Sequence, residues 1–357
     1  MSLALSVVWS DRCLLHEPAG EVWIGVRTEG TEVPARAERI RDALLERGAP
    51  LVEARSHPDG ALTRVHDPGL VAYLETAWDE WAAAGLPEDP GQDRVVPYVF
   101  AHAALTAGRP ARVPEAVWAR PGYFAYDTMT LVGPGTWEAV RAAADVALSA
   151  VDLVLDGERA AYACCRPPGH HGCRCCFGGS CYLNNAAIAA AALRERVGRP
   201  VAVLDLDAHH GNGTQEVFYE RADVLVGSVH VDPGAGWFPH FLGFADEGGA
   251  GPGRGANLNL PLEPGAGDEG WLEAVGALVA WALDADPGAL VVSLGVDAAE
   301  ADPESPLRVS ADGFREAGRM LGAMDLPTVL VQEGGYDLES LGALVGETLA
   351  GVEEGLP

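Results

Sequence analysis

The chain has 357 residues, 48% of them hydrophobic, and carries 52 acidic residues against 24 basic ones, for a net charge of -28. Every basic residue is an arginine, so Schiff-base and P-loop lysine chemistry are excluded, and so acidic a surface repels nucleic acid. The apolar fraction is ample for a core, but no run of eighteen apolar residues exists to span a membrane.

Residues 3–9 lack a basic flank and read as a first strand rather than a signal peptide, so a cytoplasmic protein is expected. A helix is predicted over 34–47, opened by Pro34 and stopped by Gly48. A second, over 68–84, places Leu70, Tyr73, Leu74, Ala77 and Trp81 on one apolar face. Residues 85–135 are rich in Gly and Pro and read as irregular loops, and Thr136 opens a long helix to about 155. Strands near 160–165, 201–206, 224–230, 289–294 and 327–331 then alternate with helices near 184–197, 214–221, 269–284, 310–322 and 339–353. That alternation predicts an α/β fold: a parallel sheet with helices on both faces, in one domain over 1–357. Residues 232–256 form a long Gly-rich loop after a strand end, where binding sites are commonly built.

The most informative stretch is 201–214. Four apolar residues make a short buried strand, followed by Asp205, Asp207 and His209, whose alternation places them on one face. Three such side chains at the end of a buried strand are destabilising unless something binds them. A divalent metal such as zinc explains them better than a hydrogen-bonded strand cap, which leaves His210 and two glycines unexplained. Three further clusters come directly after predicted strands and would gather at the same sheet edge: Arg166 to His171, Ser293 to Asp297, and Gln332 to Tyr336. Asp207, His209 and Asp297 together offer three ligands with a fourth position open, the layout of a catalytic zinc site. His170 and His171 form a proton-transfer pair, Asp205 holds His170 or a monovalent cation from behind, and Tyr336 donates to a developing oxyanion. These roles imply hydrolysis of an amide.

Seven cysteines occur, with Cys164, Cys165, Cys173, Cys175, Cys176 and Cys181 close together and Cys13 distant. An odd number argues against a disulfide framework. A structural zinc on Cys173, Cys175, Cys176 and Cys181 is the lesser reading; free thiols beside the site, sensitive to oxidants, are the expectation.

Arg166 to His171, Cys181 to Asn185, Asp205 to Thr214 and Glu333 to Tyr336 resemble the zinc-dependent histone deacetylase superfamily over nearly the whole chain. Leu74 to Asp79, Gly135 to Glu138 and Phe238 to Gly243 resemble its bacterial acetylpolyamine amidohydrolases. The resemblance implies an arginase-like sheet of eight parallel strands. It implies zinc on Asp207, His209 and Asp297, with His170 and His171 as the tandem histidines, His171 the general base and acid, and Tyr336 polarising the acetyl carbonyl. Asp205 and Asn212 fall where the family orients the histidines, and a neutral Asn212 implies a less basic His171 than in members with Asp. Ser228, with backbone groups of Asp205, Asp207, His209 and Val229, resembles the family's potassium site, and Arg36 falls on the arginine of an internal channel that releases acetate. A homodimer is also implied.

The implied substrate is an N-acetylated polyamine or similar small cationic amine, in a tunnel with Phe238 on one wall and Gly179 and Ser180 on the other. Ser180 replaces the aromatic residue usual there, which widens the tunnel or removes one ring of the aromatic sandwich. Glu304 falls at the spot of a gatekeeping glutamate, a carboxylate that would select a second ammonium. Met129 stands where the bacterial enzymes place an acid, and Glu17 and Glu21 would add negative potential across a dimer. The alternatives are a protein acetyl-lysine deacetylase, a deacylase of another metabolite, an arginase-type ureohydrolase, which Gly211 and Gly295 oppose by replacing the second metal's aspartates, and a catalytically inactive binding protein, which the retained ligands, both histidines and Tyr336 oppose.

Overall fold

A computed structural model describes residues 2–357. The strands are β1 (Ser6–Trp9), β2 (Glu21–Trp23), β3 (Val26–Thr28), β4 (Leu51–Glu53), β5 (Ala160–Ala163), β6 (Val201–Asp205), β7 (Val224–Val231), β8 (Asn257–Leu262), β9 (Ala289–Leu294) and β10 (Thr328–Gln332). The helices are α1 (Ala35–Glu46), α2 (Gly60–Thr63), α3 (Pro68–Ala83), α4 (Pro121–Phe124), α5 (Thr136–Leu155), α6 (Asn185–Arg196), α7 (Asn212–Phe218), α8 (Asp268–Asp284), α9 (Ala311–Gly322) and α10 (Leu341–Gly355). Eight strands form one parallel sheet in the order β4-β1-β5-β10-β9-β6-β7-β8, and β2 and β3 pair separately as an antiparallel hairpin.

Strand pleating divides the core in two. Val201 and Val203 of β6 join a cluster with α3, α5 and α6, whereas Ala202 and Leu204 join another with α1, α8, α9 and α10. All four are fully buried, and burial of a Val or Leu side chain contributes about 1.5–3 kcal/mol. Both faces being covered, the central strands read as continuous apolar runs. Local signals set the helix starts. Asp67 caps α3 through the Gly69 N–H with Pro68 beside it, Asn184 caps α6 through the Ala187 N–H, and Ser310 caps α9.

The helices lie within a few residues of their expected bounds, but four strands were not foreseen. β4 and β8 are the two sheet edges; β4 has three residues, and β8 carries Asn257, Asn259 and Pro261, so neither reads as a buried run. The β2–β3 hairpin turns through Ile24 (φ 49) and Gly25 (φ 79), positive at both centres as a type I′ turn requires, and Ile is a residue that disfavours it. No helix among the described residues is long and apolar enough to cross a membrane.

Candidate active site

Because the sheet is parallel, β5, β6, β9 and β10 present their carboxyl ends on one edge, and the loops beyond those ends deliver Arg166 to His171, Asp205 to Asn212, Asp297 and Glu333 to Tyr336 to one place. The ligand atoms of Asp207, His209 and Asp297 lie within 4.8 Å of one another. The strand pleat does not bring them together, contrary to the expected alternation: β6 ends at Asp205, and Asp207 and His209 lie on the turn beyond it. That turn is wound by side-chain caps, Asp205 accepting from the Asp207 N–H (3.1 Å), Asp207 from the His209 N–H (2.9 Å) and Asp297 from the Ala208 N–H (2.8 Å). His209 turns Nδ1 toward Asp297 (3.0 Å) and donates from Nε2 to the Glu304 carbonyl (3.1 Å), which fixes its tautomer.

This donor set fits a divalent cation. Two buried carboxylates and one imidazole converge, and without a cation the two acids repel: burial first, then Asp207, pushes the Asp297 carboxyl up to about 7. The surrounding glycines leave no room for a second metal's ligands. A Cβ on Gly295 would strike the Asp207 carboxylate, and one on Gly211 would strike that of Asp205, which rules out the arginase arrangement at those positions.

The two histidines are electrostatically unlike. His170 donates from Nδ1 to Asp205 (2.9 Å); burial opposes its charge, but Asp207 and Asp205 outweigh burial and hold the imidazolium up to about 10. His171 pairs through Nδ1 with the Asn212 carbonyl (2.7 Å), and burial together with cationic His170 drives its basicity well below the ordinary value. The Tyr336 phenol is pushed up by burial, more than Arg36 lowers it, so it stays a neutral donor. Arg36 lies over that ring at 4.5 Å, and its guanidinium is held by the carbonyls of Gly335 (2.6 Å) and Glu333 (2.7 Å) and by Glu32 (3.1 Å). Ser228 pairs in register with Asp205, and its hydroxyl meets His230 Nδ1 (2.7 Å).

A cavity of about 690 Å³ opens onto this cluster, lined by His171, Gly179, Ser180, His209, Phe238, Glu304 and Tyr336, and also by Glu21, Trp23, Met129 and Trp237. Phe238 packs edge-on against His171 with ring centroids 4.8 Å apart. A Cβ on Gly179 would strike the His171 ring, and its φ of 59° also favours glycine. Glu304 is half-buried and accepts from the Thr31 hydroxyl (2.9 Å). Glu21 lines the chain's own cavity, so its charge acts there without a second copy, whereas Glu17 is exposed and outside it.

Sequence reasoning overlooked several contributors. The Glu333 carboxylate accepts from the N–H groups of Gly169 (2.6 Å) and His170 (3.0 Å), tying β10 to the histidine loop. Asp127 accepts from the Gly179 N–H (2.6 Å), and the Tyr126 hydroxyl donates to the His171 carbonyl (3.0 Å). Their contacts are long-range in sequence; Glu333 lies in the Glu333 to Tyr336 motif with no role read for it, and no local pattern marks Asp127 or Tyr126. All seven cysteines are free thiols; Cys181 is buried near His170 and Glu333, away from the other three proposed for a structural zinc, and no four-cysteine cluster forms among the described residues.

Residues 30–352 match the model of the histone deacetylase domain. The chain is 38% identical to the acetylpolyamine amidohydrolase of Mycoplana ramosa, over 98% of this chain and 99% of that protein. It is 44% identical to that of Burkholderia pseudomallei, over 92% of this chain and 93% of that protein. A crystal structure of the Burkholderia pseudomallei acetylpolyamine aminohydrolase matches with a TM-score of 0.93 at 41% identity, covering 99% of this chain and 100% of that one.

Proposed function

The chain belongs to the histone deacetylase family, and on that premise we propose that it hydrolyses the acetyl amide of N-acetylated polyamines, releasing acetate and the free amine. The observation that carries the substrate class is the pair of carboxylates, Glu21 and Glu304, in the cavity above the Asp207–His209–Asp297 cluster. Each would attract the ammonium groups of a polyamine and disfavour a neutral peptide backbone.

Asp207, His209 and Asp297 would hold a divalent cation, taken as zinc from the family. When bound, that ion supplies Lewis-acid polarisation of the acetyl carbonyl and acidifies a water molecule. His171 is neutral at pH 7, its Nδ1–H committed to Asn212, so Nε2 is free to take a proton from the attacking water and return it to the leaving amine. Asp205, paired with His170 Nδ1, favours its imidazolium, which would offset negative charge as it develops. Tyr336 donates its hydroxyl proton to the carbonyl oxygen, and Arg36 beneath it fixes the Gly335 carbonyl. Arg36 would also draw acetate inward, but its nitrogens are already engaged, so the attraction acts at a distance. Phe238 would flank the alkyl chain on one wall, with Gly179 and the opening left by Ser180 on the other.

Asp205 and Ser228, adjacent on neighbouring strands, form with nearby carbonyls the potassium site of this reading. A single catalytic domain, a homodimer and a cytoplasmic location complete it, and seven free thiols suit a reducing compartment. The width at Ser180 favours a second reading, a deacylase of bulkier acylated amines. One assay separates them: kcat/KM for acetylputrescine, acetylspermidine and an acetyl-lysine peptide on zinc-loaded protein. Preference for the acetylpolyamines is expected, and preference for the peptide overturns the assignment.

A further inference from the structure

The segment after the tandem histidines reads Cys173-Arg174-Cys175-Cys176, which contains a C-x-x-C pair that the hydrolytic chemistry does not use. The Cys173 N–H donates to the Cys176 carbonyl (2.9 Å), which closes the segment into a tight loop and brings the backbones of the two cysteines together. Their side chains are neighbours. The segment is clamped from three sides: His66 Nδ1 donates to the Cys173 carbonyl (3.0 Å), the Asp67 N–H to the Arg174 carbonyl (2.8 Å), and the Arg174 N–H to Glu216 (2.8 Å). Both paired cysteines are partly accessible.

What the pair touches gives it consequence. The Cys173 thiol donates to the His171 carbonyl (3.7 Å) and accepts from the Asn212 amide nitrogen (3.7 Å), while the amide oxygen of the same Asn212 holds His171 Nδ1 at 2.7 Å. Cys173 therefore helps orient the group that decides which His171 nitrogen carries the proton. We propose that Cys173 and Cys176 form a reversible disulfide that switches the deacetylase off by releasing Asn212 from its position on His171. The inference rests on the hydrolytic role of His171.

The chemistry balances with a hydroperoxide as oxidant. With hydrogen peroxide, the Cys176 thiol gives up its proton and the thiolate attacks one peroxide oxygen; the O–O bond breaks, a sulfenic acid forms, and the departing hydroxide takes up that proton and leaves as water. The Cys173 thiol then attacks that sulfur, and its proton leaves with the hydroxyl as a second water. Cys176 is suited to attack first, because neighbouring Cys173 lowers its thiol below the usual value, more than burial raises it. In the product the sulfurs draw to about 2.0 Å, and Cys173 loses both its proton and its contact with Asn212. So short a loop adds little to stability, as suits a switch rather than a structural brace.

The test treats zinc-loaded protein with hydrogen peroxide and maps cysteines by peptide mass, with metal content measured alongside. A Cys173–Cys176 cross-link is expected, with kcat/KM on acetylputrescine falling about tenfold and returning with dithiothreitol. Cys176→Ser protein should resist inactivation, and Cys175→Ser protein should be inactivated like wild type. Imidazole nitrogen NMR reads the His171 tautomer independently of turnover and should change on oxidation. Another pairing, an unchanged His171 spectrum in the cross-linked protein, or inactivation that tracks metal loss in Cys176→Ser would overturn the proposal. If the reduced enzyme turns over no acetylated amine, the hydrolytic reading fails, while the cross-link and the spectrum still decide this one.

Discussion

Replacing Glu304 by Gln keeps the side chain's shape and the backbone carbonyl that holds His209 Nε2, and removes one negative charge from the cavity. An ammonium about 4 Å from a carboxylate gains about 1 kcal/mol in bulk water and about 4 kcal/mol at an effective dielectric of 20. Glu304 is half-buried on a cavity open to solvent, which places the loss midway, at about 2 kcal/mol. At about 1.4 kcal/mol per decade that is roughly 30-fold in kcat/KM, and Glu21 in the same cavity recaptures part of it, so about 10- to 30-fold is expected. The assay pairs acetylputrescine with N-butylacetamide, which has the same chain length and no ammonium. The charged substrate should lose the stated factor, the neutral one should lose almost nothing, and added salt should shrink the wild-type preference. Equal losses on both would refute the charge argument and make Glu304 a support for Thr31 or His209 instead.

Glu21 gives a pH signature. Burial first, then Glu304 and Asp127, pushes its carboxyl up to about 7, so the cavity carries its charge above that pH and loses it below. KM for acetylspermidine should rise as pH falls through about 7, and Glu21→Gln should flatten that dependence; a profile the substitution leaves unchanged would remove Glu21 from substrate recognition. Asn212→Asp places a carboxylate on His171 Nδ1, favours the imidazolium and raises its basicity, so the acid limb of the kcat/KM profile should move to higher pH, where the protonated base is now inactive. Chelation should abolish turnover and lower Tm, because Asp207 and Asp297 lose the cation between them; zinc at a thousandfold excess over Kd should restore about 4 kcal/mol. Activity surviving complete metal removal would refute the assignment of these three ligands.

The sequence by itself determined the fold class and the chemical groups. The alternation of buried strands and helices after residue 160 is a local signal, and the structure agrees with it. Asp207, His209, Asp297, His170, His171 and Tyr336 could be named because each comes just after a strand, and parallel strands deliver the loops at their carboxyl ends to one edge. Tertiary structure decided how those groups are poised. The opposite behaviour of His170 and His171, adjacent in sequence, arises from Asp205 and Asp207 facing one ring and a neutral Asn212 facing the other. The edge strands β4 and β8 take their conformation from a neighbour rather than from their own apolar pattern. The site of Glu21, the Glu304 carbonyl on His209 and the hold of Glu333 on the histidine loop span large separations in sequence, and burial makes such contacts consequential only once the chain has folded around them.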